Sequence, residues 1–312
     1  MDVITQELMS AFFDDDALRL PPIRLYRLDS GDTRLYYTYD IQESLTIFSG
    51  VTGMLDAVLP TPQWLIEWIA RKGIEVAEAY KQERAVYGTL FHTQAAQLLL
   101  KGAVSLDTLA DDIQEYCYEN GYPQKHHAWV FELSKDLLAF AQWTRDVNFR
   151  PLGIEVPLCS QEFRVASCVD LWGKADLTVN RHKVDDAMII VDLKSGKNSS
   201  TGNVHHSLQL AYYQEMVKEN YPEFAEIDCY LFNWHPKQWK GSPTYHFTNQ
   251  TGKHTREELS LYSRLFHLTH DLGAKTRLAL QGEISLSQPI DGNFHIQSCT
   301  EFLEEDYHER TH

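Results

Sequence analysis

Two carboxylates and a lysine in the second half of the chain could form a metal-dependent hydrolytic site. Asp192 and Lys194 end the apolar segment AMIIVDLK, and side chains two residues apart in a strand share a face. Taken alone, this spacing is typical of an ion pair at a strand end. Asp176, in GKADL, could lie beside Asp192 in an antiparallel pair. Converging carboxylates repel each other unless a hard cation such as Mg²⁺ binds them, and the lysine could then stabilise a phosphate oxygen or orient a water.

Three residues in predicted helices could complete such a site. His92 borders an apolar helix face, which is typical of a core histidine, but a metal ligand reaching toward the sheet is the alternative. Gln209 and Tyr213 lie one turn apart on the helix after Lys194. They either pack there, or hold the lysine and contact substrate.

The elements that must position these residues follow from the hydrophobic pattern. A β-hairpin is predicted around Ser30-Gly31-Asp32, and helices from Pro60 to about residue 148, one of them starting near Gly88. Strands are predicted at 153–158, 171–179, 187–194 and 227–236, and helices at 204–220 and 259–280. Three strands, a crossover helix and a further strand predict a mixed sheet covered by helices.

The order and spacing of these motifs resemble the RecB-like branch of the PD-(D/E)XK nuclease superfamily. That branch carries a GxxxH helix, a GxxD strand, a DxK strand and a QxxxY helix. The matching pairs here are Gly88/His92, Gly173/Asp176, Asp192/Lys194 and Gln209/Tyr213. The segment before Gly88 also resembles phage exonucleases and the mitochondrial genome maintenance exonuclease, so the resemblance covers about residues 45–240.

The resemblance implies an α/β (α+β) fold with a restriction-endonuclease-like core. Its mixed central sheet would be flanked by helices, with an N-terminal β-hairpin and a helical insertion. The expected parts of one nuclease domain are a β-rich extension at 1–59, a helical segment at 60–150, the core at 151–245, and a helical region with an acidic tail at 246–312.

The resemblance also assigns roles to single residues. The implied metal ligands for Mg²⁺ or Mn²⁺ are His92, Asp176, Asp192 and the backbone carbonyl of Leu193. Lys194 would orient the attacking water, and Gln209 and Tyr213 would support the site and the substrate.

Two further carboxylates are alternatives at this site. Glu155, in the first predicted strand, is a candidate ligand, and a surface carboxylate is an equal alternative. Asp170 lies six residues before Asp176, but Asp176 follows a glycine by three residues and has the more usual distance to Asp192. The sequence therefore favours Asp176.

The implied activity is hydrolysis of phosphodiester bonds in DNA, as an exonuclease rather than an endonuclease, in recombination, repair or phage and defence DNA processing. Single-stranded DNA or a DNA end is the expected partner. One alternative is a catalytically silent nuclease-fold protein that binds DNA or a partner. A weaker one is a phosphohydrolase with a small substrate, since the 14 histidines lack tight ligand spacing.

Aromatic and basic side chains near the motifs could contact a nucleic acid, although core packing and solvated helix faces explain them equally well. The aromatic candidates are Trp64, Trp68, Trp234 and Trp239. The cationic candidates are Arg71, Lys72, Arg84, Lys197, Lys237 and Lys240.

A net charge of −16 argues against a strong grip on a polyanion. Much of it is terminal, because residues 1–60 carry a net −6 and residues 301–312 a net −4. We therefore expect weak non-specific DNA affinity and an activity that depends on metal.

The five scattered cysteines contain no CxxC pair, which argues against disulfides and zinc and favours a reducing compartment. Only Cys299 follows residue 236, so no iron–sulphur cluster of the kind found in some RecB-like members is expected. No apolar run approaches the roughly 20 residues of a membrane span, and the first residues lack a basic leader pattern. The predicted location is the cytoplasm, for a bacterial or phage-encoded protein.

Overall fold

The computed structural model of the chain describes residues 18–30, 33–39, 45–196, 204–270 and 296–298. The predicted acidic tail, Lys197 and Cys299 lie outside these ranges. The strands are β1 Tyr26–Ser30, β2 Thr33–Tyr39, β3 Leu45–Gly50, β4 Arg150–Ser160, β5 Val165–Val179, β6 His182–Leu193, β7 Tyr230–Pro236, β8 Tyr245–Asn249 and β9 Ile296–Ser298. The helices are α1 Val51–Val58, α2 Gln63–Lys72, α3 Ile74–Lys101, α4 Leu106–Glu119, α5 His126–Asp146, α6 Val204–Asn220 and α7 Arg256–Thr269.

The described strands form one mixed sheet in the order β8-β7-β6-β5-β3-β2-β1-β9, with β4 paired to β5. Strands β4, β5 and β6 are antiparallel neighbours, whereas β6 and β7 are parallel and joined through α6. This confirms the predicted crossover, and β1 and β2 confirm the predicted N-terminal hairpin.

Helices cover both faces of the sheet because its central strands are apolar on both sides. In β6, Ile189 and Val191 join a core cluster with α3, α4 and α5. Ile190, which points to the other face, joins a second cluster with α1, α6 and α7. The arrangement is a restriction-endonuclease-like mixed α/β fold. No helix in the described ranges is both long enough and apolar enough to cross a membrane.

The long helix α3 differs from the prediction. It begins at Ile74 instead of near Gly88 and continues for 28 residues, so Gly88 lies inside it. A glycine weakens a helix interior by only about 1 kcal/mol relative to alanine, and the packing of Tyr87, Leu90 and Phe91 into the core outweighs that cost. The helix at Val204–Asn220, in contrast, has the predicted bounds.

The first half of α3 and all of α2 form a projecting arm, residues 63–82. In this segment only Ala77 is buried. Trp68 of α2 packs against Tyr80 of α3, with ring centroids 5.7 Å apart, while Trp64 is 62% exposed. The α2–α3 arm therefore exposes aromatic side chains on α2 and on the first half of α3, and the second half of α3 carries His92.

Candidate metal centre and active site

Carboxylates lie in a row across the middle of the sheet. The β4–β5 register places Glu155 opposite Asp170, and the β5–β6 register, continued by one residue, places Asp170 opposite Asp192. Asn233 of β7 pairs directly with Asp192. Side chains opposite each other on neighbouring strands are close enough to interact, so the sheet itself assembles the acidic row.

His92 reaches this row from α3. Its Nδ1 lies 2.8 Å from Glu155 Oε1 and 3.9 Å from Asp170 Oδ1, and its Nε2 lies 3.1 Å from the Leu193 carbonyl oxygen. The ligand atoms of His92, Glu155 and Asp170 all lie within 4.8 Å of one another. The Leu193 amide donates to Asp170 Oδ2 at 2.7 Å, which fixes the end of β6 against β5.

The clustered carboxylates of Glu155, Asp170 and Asp192 are stabilised by nearby positive charge. Burial raises the pKa of Asp170, the charges of Glu155 and Asp192 raise it further, and His92 and Lys194 counteract them. Burial lowers the pKa of His92, but Asp170 and Glu155 outweigh burial and hold that pKa above its usual value. A protonated His92 can donate one N–H to Glu155 and the other to Leu193. Without a metal, the imidazolium therefore supplies the charge that the carboxylates need.

The donor set fits a hard divalent cation. Carboxylate oxygens and a backbone carbonyl are ligands that Mg²⁺ and Mn²⁺ prefer, and imidazole is compatible with Mn²⁺. His92, Glu155, Asp170 and the Leu193 carbonyl converge, and Asp192 lies next to them in the row. The residues present therefore fit the metal that the sequence pattern implies.

Glu155 is aimed at the cluster by an unusual backbone. Its φ of 49° lies in the left-handed region, which residues other than glycine seldom adopt. Across this residue β4 changes faces, because Ile154 packs into the α3–α5 cluster and Val156 into the α6 cluster. Such backbone strain is concentrated at functional sites.

A chain of hydrogen bonds holds Lys194. Its Nζ donates to Asp192 Oδ1 at 2.7 Å and to Gln209 Oε1 at 3.2 Å, and Gln209 Nε2 donates to the Tyr213 hydroxyl at 2.6 Å. Asn233 donates to the other oxygen of Asp192 at 2.7 Å. Asp192 is fully buried, so these charge-assisted bonds replace the water that it loses.

The loop after Lys194 is held by two residues that the sequence did not assign to this role. Arg84 of α3 donates to the Ser195 carbonyl at 2.9 Å and to Glu132 of α5 at 3.2 Å. His235 Nδ1 lies 3.0 Å from the Gly196 carbonyl oxygen. Arg84 was a candidate DNA contact, and no sequence motif singled out His235. Both depend on tertiary contacts, which sequence spacing does not report.

The structure does not bring Asp176 into the cluster. It lies six residues from Asp170 along β5, about 20 Å at strand spacing, and its carboxylate accepts from Asn148 at 2.9 Å and Arg150 at 3.4 Å. The Asn148 amide and the Asp186 backbone N–H lower its pKa, as expected for an anchored surface carboxylate. Of the two aspartates that the sequence offers, Asp170 therefore lies beside His92 and Glu155, and Asp176 does not.

Gly173, the glycine three residues before Asp176 that favoured Asp176 in the sequence, has a packing role. A Cβ on Gly173 would lie 2.2 Å from the Arg150 carbonyl oxygen, so the close approach of β4 and β5 excludes any side chain there. The signal that identifies Asp170 is the turn at Asn180 and Arg181, both of which have positive φ. Counted outward from that turn, Asp192 lies about as far along β6 as Asp170 lies along β5.

The aromatic candidates differ in their surroundings. Trp234 is buried and stacks on Phe91 with ring centroids 5.4 Å apart, so it is a core residue. Trp64 projects from the arm, and Trp239 lies in the β7–β8 loop.

The sequence model of the PD-(D/E)XK nuclease superfamily matches residues 65–284, which include α3, the acidic row and α6. No curated protein sequence matches the chain. Because the family match covers more than half of the chain and the matched residues hold the acidic row, the chain belongs to the PD-(D/E)XK nuclease superfamily.

Proposed function

We propose that this protein is a Mg²⁺- or Mn²⁺-dependent exonuclease of the RecB-like branch that acts on DNA. The observation that carries this proposal is the acidic row of Glu155, Asp170 and Asp192, with His92 above it and Lys194 beside it. The proposed setting is DNA recombination, repair or phage and defence DNA processing, as the motif resemblance implies.

His92, Glu155, Asp170, Asp192 and the Leu193 carbonyl would hold the metal. Asp170 replaces Asp176 in this set because of its position in the row. When bound, the ion would lower the pKa of a coordinated water and neutralise charge on the phosphate.

Lys194 is positioned to act on the attacking water or on a phosphate oxygen. An ammonium group has three N–H donors, and among the described residues Asp192 and Gln209 accept two of them. The third is available for water or phosphate. Gln209 orients the ammonium group, and the Tyr213 hydroxyl in turn fixes the Gln209 amide.

The α2–α3 arm supports the exonuclease part of the proposal. Part of it lies on the helix that carries His92, and it exposes aromatic side chains that could stack on unpaired bases at a strand end. A wall of this kind favours a substrate with a free end over a continuous duplex.

The test compares end-labelled linear DNA with covalently closed circles in the presence of Mg²⁺ or Mn²⁺. We expect metal-dependent degradation of linear DNA only, lost in Asp192→Asn and Lys194→Ala and retained in Lys183→Gln, a lysine near the far end of β6. Efficient cutting of closed circles would contradict exonuclease action. A wild-type protein inactive on every DNA and RNA tested would instead favour the binding role.

A further inference from the structure

A lysine lies between two aromatic rings beside the candidate active site. Lys135 of α5 has its Nζ 4.7 Å from the Trp239 ring centroid and 5.1 Å from that of Phe131. The same Nζ donates to the Trp239 carbonyl at 3.1 Å. Phe131 is 67% exposed, so this group is open to solvent on at least one side.

Two more lysines extend the group. Lys237 and Lys240 flank Trp239 in the β7–β8 loop, and both are exposed. Residues 237–244 contain no Asp or Glu, in a chain whose net charge is −16. We call Phe131, Lys135, Lys237, Trp239 and Lys240 the lysine–tryptophan patch. It is a local cationic and aromatic surface on an acidic protein.

The patch lies at the same end of strands β6 and β7 as Lys194. Strands β6 and β7 are parallel, so their ends adjoin, and the Lys194 amide donates to the Trp234 carbonyl at 2.9 Å. From His235, which contacts Gly196, four residues lead to Trp239, and four residues of extended chain span at most about 14 Å.

A second path connects the patch to the site through α5. Glu132 lies one helical turn from Lys135 and is the residue that pairs with Arg84. Arg84 in turn holds the Ser195 carbonyl. Two independent elements thus fix the patch within a few nucleotides of the acidic row.

We infer that the lysine–tryptophan patch binds the single-stranded part of a nucleic-acid substrate next to the bond that is cut. The lysines contact backbone phosphates, and Trp239 and Phe131 stack on bases. Stacking requires unpaired bases, so the patch selects single strands over duplex. This inference rests on the proposed function for its catalytic meaning, but strand binding can be measured separately.

The first test measures binding of a fluorescent oligo(dT) to the protein in EDTA, so that cleavage does not interfere. Trp239→Ala should weaken binding about 5- to 150-fold, the range typical of one stacked base. Replacing Lys135, Lys237 and Lys240 by Gln should lower the slope of log K against log[salt] by about 2, at roughly 0.7 for each lost phosphate contact.

Matched controls separate the patch from general surface effects. Tyr118→Ala removes another exposed aromatic ring, and Lys183→Gln removes an exposed lysine near the far end of β6. Both should bind oligo(dT) as the wild type does, and circular dichroism should show all variants folded. Wild-type affinity in Trp239→Ala and in the triple lysine variant would overturn the inference. Equal affinity of the wild type for duplex, or an equal loss in Tyr118→Ala, would also overturn it. If the patch served a protein partner instead, both patch variants would keep wild-type affinity for oligo(dT).

A second test uses bis(p-nitrophenyl) phosphate, which is too small to reach the patch. Trp239→Ala should hydrolyse it at the wild-type rate with Mn²⁺, while its KM for oligo(dT) rises. A wild type that hydrolyses neither substrate contradicts the proposed function. The oligo(dT) binding measurement then still shows whether the lysine–tryptophan patch binds single strands.

Discussion

The three carboxylates of the acidic row differ in their exposure to solvent. The side chains of Asp192, Asp170 and Glu155 are 0%, 9% and 24% exposed, respectively. Asp192 is fixed by Lys194 and Asn233, whereas Glu155 contacts His92 near the surface. The row is therefore anchored at its buried end and accessible at the other, and that gradient gives a ligand one direction of approach.

Separate substitutions of Asp170 and Asp176 by asparagine distinguish the roles of the two aspartates. Asp170→Asn should lower metal-dependent kcat/KM by at least about 100-fold, because it removes a ligand charge from the cluster. Asp176→Asn should leave kcat/KM within a few-fold and lower the unfolding free energy only slightly, since it weakens solvent-exposed contacts with Asn148 and Arg150. Steady-state kinetics and urea unfolding check both. A large activity loss in Asp176→Asn, with Asp170→Asn active, would contradict the assignment.

At the scale of elements, β4 and β5 approach so closely that side chains are excluded at two positions. A Cβ on Gly153 would lie 1.7 Å from the Trp172 indole nitrogen, and one on Gly173 would lie 2.2 Å from a backbone carbonyl. Trp172 is fully buried and cannot move aside. The close pairing keeps Glu155 and Asp170 side by side.

Gly173→Ala should therefore destabilise the protein by about 1–3 kcal/mol, the usual cost of overpacking. Gly53→Ala is the matched control, because nothing lies within 4 Å of a Cβ at that position in α1. There, alanine should stabilise the helix by up to about 1 kcal/mol. Urea unfolding measures both changes. Equal effects of the two substitutions would show that crowding between β4 and β5 is not the cause.

How much the sequence reveals depends on whether a signal is local. The bounds of α6 and the positions of Asp192 and Lys194 follow from periodicity and spacing within one segment. The choice of Asp170 over Asp176 depends on strand register, which the turn at Asn180 sets. Local patterns likewise do not show that Trp234 is buried and Trp64 exposed, because both are tryptophans in apolar surroundings of the sequence.

On the scale of the whole molecule, the acidic row adds to a net charge that is already −16. Folding brings its carboxylates together, so their repulsion opposes the folded state. A cation that binds only the folded protein stabilises it by RT ln(1 + [L]/Kd).

Mn²⁺ at 100 times its Kd should stabilise the protein by about 2.7 kcal/mol, a rise in Tm of roughly 3–6 °C. EDTA should reverse the rise, and Asp170→Asn should abolish it. Differential scanning fluorimetry measures the shift, with NaCl at matched ionic strength as the control. An equal rise with NaCl, or an undiminished rise in Asp170→Asn, would argue against a site in the acidic row.

The pH dependence of stability should carry a contribution from His206. Burial and the Lys194 charge lower the pKa of His206 to about 4, against its unfolded value of 6.5. The neutral form is favoured on folding, so stability is unaffected above pH 6.5 and is lost as pH falls toward 4, by at most about 1.4 kcal/mol per unit.

His206→Gln removes the imidazole group that takes up a proton in this pH range. The difference in unfolding free energy between variant and wild type should therefore shift in favour of the variant as pH falls from 6.5 to 4, as measured by urea unfolding at several pH values. A difference that stays constant over this range would contradict a neutral, half-buried His206.

The left-handed backbone at Glu155 also bears on how the sheet forms. If β4 paired with β5 one residue out of step, the positive φ would fall on Ile154 or Val156, and β-branched residues tolerate it poorly. A slipped pairing would therefore be more strained than the native one. The backbone angle at Glu155 therefore helps to fix the β4–β5 register, and with it the placement of Glu155 opposite Asp170.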